Sequence, residues 1–170
     1  MFVLDHPDEP MYDNPDLPLY LRSRMMGAFG LKFGAGQLGE QDEHVIAREI
    51  EFYKSTRNIL DDAAGILLTA QTARGTSGWD VVEELVPPTG EAVLFVFRSE
   101  ADEDSITVWP RGLRLDMDYR VYSADGDMLI YTSGVELILH GVEISDRVSP
   151  GAHIVLLKPI VLEEAPDESL

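Results

Sequence analysis

Ala92-Val93-Leu94-Phe95-Val96-Phe97-Arg98 decides the fold of this chain. Aliphatic, β-branched and aromatic side chains in one short run favour extended backbone, and its period of two puts Val93, Phe95 and Phe97 on one face. Pro87-Pro88-Thr89-Gly90 just before it is turn chemistry. The same rhythm extends on both sides. Ile66-Leu67-Leu68, Trp79 to Leu85, Ile106 to Trp109, Tyr119 to Tyr122, Met128 to Tyr131 and Ile154 to Leu157 are further strands. They are broken at Ala73-Arg74-Gly75, Pro110-Arg111-Gly112 and Ala124-Asp125-Gly126-Asp127. Asp125-Gly126 between two alternating runs is the clearest hairpin signal. Short strands with regular turns from about residue 65 to residue 158 predict an antiparallel β-sandwich.

Upstream the period changes to that of a helix. Glu40 or Gln41 starts a helix that runs to about Leu60, with Ile46, Ile50, Tyr53, Arg57 and Leu60 along one stripe. Asp42 and Glu43 suit its first turn, and Lys54 and Arg57 suit its end, because the helix dipole favours those signs there. A shorter helix is expected from Leu19 to Phe29, starting near Asp16 or Leu17, with Leu19, Met26 and Phe29 on one face and Tyr20 and Met25 on its flanks. Gly27 and Gly30 allow that helix to pack closely. Phe33-Gly34-Ala35-Gly36 reads as a turn. Phe2-Val3-Leu4 opens the chain as a short strand, and Pro7, Pro10, Pro15 and Pro18 among acidic residues make the following segment a loop.

Composition bounds the function. With 170 residues and 45% hydrophobic content the chain can bury a core. Lys and Arg number 13 against 31 Asp and Glu, a net charge of -18. Such an acidic protein repels phosphate backbones and anionic lipid, so neither nucleic acid nor membrane is an expected partner. No cysteine is present, which excludes disulfides and thiol chemistry. No apolar run is long enough to span a bilayer, no secretory leader is visible, and a cytoplasmic location is the expectation.

The helices and strands together resemble a known family. Phe29-Gly30-Leu31, Leu38, the acidic helix start and Phe52-Tyr53-Lys54 with Arg57 resemble the end of the catalytic barrel in family 36 α-galactosidases, where a "YKxxR" helix feeds a C-terminal β-sandwich. Ala92 to Arg98 resembles a family strand ending in "FR". Gly112-Leu113, Tyr119-Arg120-Val121, Ser133-Gly134-Val135-Glu136-Leu137 and Gly141-Val142 follow as "GL…YRV…SGxEL…G", and Ala152 to Leu157 resembles the closing strand. The blocks fall in the family's order over roughly residues 1 to 158.

The resemblance implies an α+β fragment: the last strand and two helices of a TIM barrel, truncated, over 1–62, an antiparallel β-sandwich over 63–162, and a polar tail over 163–170. It implies a parent that hydrolyses terminal α-galactosyl bonds in oligosaccharides. The family's two catalytic aspartates sit on barrel strands upstream of the matched region, so no catalytic residue is assigned here and the chain by itself is non-catalytic. Retaining glycosidases need two carboxyl groups about 5–5.5 Å apart. The family's "GAHVS" is replaced by Leu4-Asp5-His6-Pro7, which matches only at the histidine.

Three residues remain candidates for sugar contact. Asp5 and His6 follow an apolar strand, and barrel active sites lie at strand C-terminal ends; the plainer reading is a histidine in an acidic loop. Trp109, ahead of a proline turn, is the better placed of the two tryptophans to stand exposed and stack on a sugar; core packing is the plainer reading for both it and Trp79. Asp102-Glu103-Asp104 lacks the rest of a calcium loop, and His44, His140 and His153 have no ligand spacing, so no metal and no cofactor is expected. The alternative to the fragment reading is a free-standing carbohydrate- or protein-binding β-sandwich module with the helices as a docking arm. Homo-oligomer formation through helix 40–60 is a further expectation, and a third reading is an enzyme with its own carboxylate pair.

Overall fold

The computed structural model describes residues 2–4, 17–32, 38–73, 75–126, 128–145 and 151–161. The Phe33–Gly36 turn, the acidic Pro-rich loop and the tail from 163 lie outside them.

Strand β1 (Phe2–Leu4) pairs in parallel with β2 (Gly30–Lys32). Between them in sequence lies helix α1 (Leu17–Arg22), so the three form a strand–helix–strand crossover. Helix α1 is much shorter than its pattern predicts. Beyond Arg22 the chain closes in tight turns (Arg24 N to Leu21 O, 3.0 Å; Met25 N to Arg22 O, 3.1 Å) and reaches Gly27 at a φ of 126°, a conformation that side chains avoid. The Tyr53 hydroxyl holds this bend, donating to Gly27 O (2.9 Å) and accepting from Phe29 N (3.1 Å). Leu17, Leu21 and Met25 are therefore the buried face, and Met26 is exposed. Gly30 serves a strand rather than helix packing.

Helix α2 (Glu40–Asp62) matches its expected bounds and its acidic first turn. Its stripe is displaced. Ile46, Glu49, Thr56, Ile59 and Leu60 are buried, whereas Arg57 is exposed. No basic residue lies in its last turn, because the helix continues past Lys54 and Arg57 to Asp62.

Strands β3 (Ala64–Leu67), β4 (Gly78–Val86), β5 (Glu91–Ser99), β7 (Asp118–Ser123), β8 (Leu129–Ser133) and β10 (Gly151–Pro159) form one antiparallel sheet in the order β3-β4-β5-β10-β7-β8. A two-stranded ribbon of β6 (Ser105–Val108) and β9 (Val142–Ser145) and the short helix α3 (Gly134–His140) make the second layer.

Alternation along the strands divides the core between the two faces of the sheet. Ala92, Leu94 and Val96 of β5, with Val155 and Leu157 of β10, pack under the ribbon and α3. Val93, Phe95 and Phe97, with Ile154 and Leu156, pack under α1 and α2. Val93, Phe95 and Phe97 thus share a face as expected. The opposite face is equally buried, which is why β5 is an unbroken apolar run rather than an apolar–polar alternation.

Helix α3 and β9 extend what the sequence predicts. Their signals are local: Ser133 caps α3, its Oγ accepting from Glu136 N (3.2 Å), and Gly141 ends it at a φ of 74° with its N–H on Leu137 O (2.9 Å). Ser133 with Glu136 has the spacing of a capping box.

Candidate functional site

Asp5 and His6 lie outside the described residues. Trp79 is core, at 9% exposure, and Trp109 is 53% exposed. Trp109 follows β6 and begins the Trp109-Pro110-Arg111-Gly112 turn. Beside it a cleft of about 420 Å³ opens between Leu68 and Thr69 of the β3–β4 connection and Ile106, Thr107 and Arg111.

The turn is anchored from below. Glu83 of β4 points inward, wholly buried, and its Oε2 accepts from Arg111 N at 2.8 Å. Gly112 lies so close to Leu85 that an added Cβ would come within 2.5 Å of Leu85 Cδ2. On the other side, an added Cβ at Gly141 would meet Val108 O at 2.7 Å and Trp109 Nε1 at 3.3 Å. The indole thus stands against a glycine that cannot be enlarged. Thr69 Oγ1 accepts from Val81 N (2.9 Å), which leaves its own hydrogen to be donated. Among the described residues no hydrogen bond or ion pair takes up the Arg111 guanidinium.

Burial pushes the Glu83 carboxyl up to about 7, against the opposing pull of its bond from Arg111 N and of the Arg111 charge. Its Oε1 has no partner among the described residues. A buried ionised oxygen without a donor is costly, so the proton is retained to near neutrality. Among the described residues no second carboxylate is paired with Glu83: its neighbour Glu84 points to the opposite side of the strand.

A second buried charged constellation joins the helices to the sheet. Arg22 (3% exposed) donates from Nε and Nη2 to Glu49 (1% exposed), both at 2.9 Å. It also donates to Asp125 at 2.6 and 2.8 Å and to Ala152 O at 2.8 Å. Burial works against the guanidinium charge, but hydrogen bonds and the charges of Asp125 and Glu49 outweigh it and raise its pKa. Burial likewise works against ionisation of Asp125, and the Arg22 bonds outweigh it, lowering that carboxyl. Every charge in this cluster is paired, and it fastens α1, α2, β10 and the β7–β8 turn to one another. The DG turn signal placed Asp125 correctly, but the sequence carries no mark of Arg22 as its partner.

The remaining charged candidates are peripheral. Exposed Asp104 pairs with the buried Arg98 (3.0 Å), and exposed His140 lies 3.3 Å from Glu136. Among the described residues no three His, Asp or Glu side chains are grouped to hold an ion, and no helix is long and apolar enough to cross a membrane.

No family model and no curated protein matches the chain. Solved structures do. A variant of the GH36 α-galactosidase AgaA from Geobacillus stearothermophilus, in complex with stachyose, matches at 22% identity and a TM-score of 0.75, over 94% of this chain and 21% of the enzyme. The α-galactosidase of Lactobacillus brevis matches at 13% identity and a TM-score of 0.75, over 96% and 23%. The galactosidase domain of the α-galactosidase-sucrose kinase AgaSK matches at 18% identity and a TM-score of 0.72, over 94% and 22%. The chain therefore has the fold of a portion of a family 36 α-galactosidase, helices and antiparallel sandwich together. It spans about a fifth of the length of those enzymes.

Proposed function

We propose that this chain is the barrel-end and C-terminal sandwich region of an α-galactosidase-like glycoside hydrolase, non-catalytic by itself, and that it supports the barrel fold or subunit assembly. Residues 1–62 are the barrel part, 63–162 the sandwich and 163–170 a tail, in a cytoplasmic parent. The observation that carries this is the β1–α1–β2 parallel crossover riding on the antiparallel sheet, in a chain nearly all of which superposes on a fifth of such an enzyme. Two three-residue strands cannot close a barrel, and parallel pairs need more strands and helices around them. Oligosaccharide binding by the parent accords with the solved relatives, two of which hold stachyose and raffinose.

The sheet-facing stripe of α2 is covered, so self-association through helix 40–60 would use the flank of that stripe, where the half-buried Phe29, Leu31, Ile50 and Tyr53 line an open groove. The free-standing binding module is the second reading, favoured by the exposure of Trp109.

The test is an assay of the purified chain on a chromogenic α-galactoside, with sedimentation of the same sample. We expect no release of galactose. Release that is lost in Asp5→Asn overturns the reading, since the chain would then carry its own carboxylate site. A monomer without activity removes only the association through α2.

A further inference from the structure

We propose that the Trp109 cleft is a binding site for a neutral oligosaccharide, with the indole of Trp109 as the platform for one pyranose ring and Arg111 and Thr69 as hydrogen-bond donors to its hydroxyls. The inference concerns the sandwich alone and stands whether or not the chain completes a barrel.

Three observations converge on it. First, Trp109 is held out of the core. Its companion Trp79 is buried, and β6 has a core beneath it, yet Trp109 remains 53% exposed beside a cleft large enough for a sugar ring. An aromatic face offers the apolar C–H side of a pyranose a contact without polar cost, and the indole loses little freedom in making it.

Second, the donors are unspent. This chain has more than two acidic residues for each basic one, yet among the described residues the Arg111 guanidinium makes no hydrogen bond or ion pair, and Glu83 beneath it feels only its charge. A planar fork of N–H groups fits two adjacent oxygens at once, as in a vicinal diol. The Thr69 hydroxyl accepts from Val81 N and has its hydrogen to give.

Third, the site is preformed. Glu83 ties the Arg111 backbone to the core, and Gly112 and Gly141 allow Leu85 and Trp109 their close approach. Little ordering is left to oppose binding.

Charge selects a neutral ligand over an anionic one. The chain carries -18, and Glu143 lies opposite Thr107 in the β6–β9 ribbon. A uronate would meet Arg111 but also the Glu143 carboxylate and the chain's net negative charge.

The experiment uses the only two tryptophans of the chain. In a Trp79→Phe variant, Trp109 is the sole emitter. Titration with raffinose or stachyose is expected to give a saturable change in emission and protection from acrylamide quenching. Arg111→Gln should weaken binding about tenfold, the effect of one lost charge-assisted hydrogen bond. Calorimetry on the wild-type chain and on Trp109→Ala, with folding checked by circular dichroism, covers loss of stability in the Trp79 variant. Heat of binding should be present in the first and absent in the second. The proposal is overturned if emission and quenching do not change up to the solubility of the sugars. It is equally overturned if Trp109→Ala or Arg111→Gln binds like wild type, or if trigalacturonate binds more tightly than raffinose.

Discussion

Two buried acids lie on opposite sides of the same sheet, and they are treated in opposite ways. Glu49, between the helices and the sheet, meets Arg22 through two hydrogen bonds and Arg48 through two more. Glu83, between the sheet and the ribbon, has one backbone N–H for one oxygen and nothing for the other among the described residues. The first is a charged joint between elements far apart in sequence, Arg22 and Asp125 being 103 residues apart. The second is held by a proton. A buried carboxylate is tolerated where it is fully paired, and where it is not, it stays neutral.

The largest effects test the paired side. Arg22→Ala leaves Glu49 buried with only the exposed Arg48 for a partner, and should cost about 3–5 kcal/mol in urea denaturation. A double replacement by methionine at 22 and 49 should recover part of that, since the wholly buried charge is then gone and only the half-exposed Asp125 has lost Arg22. A cost under about 1 kcal/mol for Arg22→Ala would mean that Glu49 is solvated in solution and the contrast is lost.

Phe95→Ala on the same face should cost about 3–5 kcal/mol, because the cavity lies between β5 and the helices and cannot collapse easily. If the loss is below about 1 kcal/mol, the face is open and the register is shifted by one.

The unpaired side is tested by pH. The folded Glu83 carboxyl titrates near 7 and the unfolded one near 4.5, so between these values the folded state holds more protons than the unfolded state. Stability should therefore fall as pH rises from about 4.5 to about 7, by about 3 kcal/mol in all, and level off above. Glu83→Gln keeps the acceptor for Arg111 N without a charge, and should flatten this slope and stabilise the chain at pH 8. A wild-type chain whose urea midpoint is as high at pH 8 as at pH 5 would sink the assignment.

Asp125 gives the smallest effect, of opposite sign. Its carboxyl is lowered, so its contribution is present above about pH 4 and lost as pH falls below that. Asp125→Asn should cost about 1 kcal/mol at pH 7, and the difference should shrink as pH falls below about 4. An undiminished difference there would show that the effect is packing rather than charge.

Much of the fold is local and could be read in advance. The bounds of α2, the long strands β4, β5 and β10 and the Asp125-Gly126 turn rest on periodicity and turn chemistry that neighbouring residues carry between them. Trp109 could be singled out for exposure because a proline turn follows it. The misreadings arise where distant contacts compete with local pattern. The Leu19–Phe29 stretch has helical spacing, but the Tyr53 hydroxyl, from another helix, fixes the bend at Gly27 that ends α1 early. The α2 stripe shifted because Glu49, polar in sequence, is neutralised by Arg22 and so can face the core.

The sequence by itself determined which segments are extended, which are helical and where most of them turn, because those choices are settled within a few residues. It determined the acidity and the absence of thiol chemistry as well. Only the tertiary structure decided that β10 inserts between β5 and β7, that both faces of β5 are covered, and that β1 and β2 lie parallel. It alone made Glu83 an unpaired acid beneath Arg111, and gave Glu49 its partner. Pairing and burial depend on which distant atoms exclude water from a group, and no short stretch of sequence contains both members of such a pair.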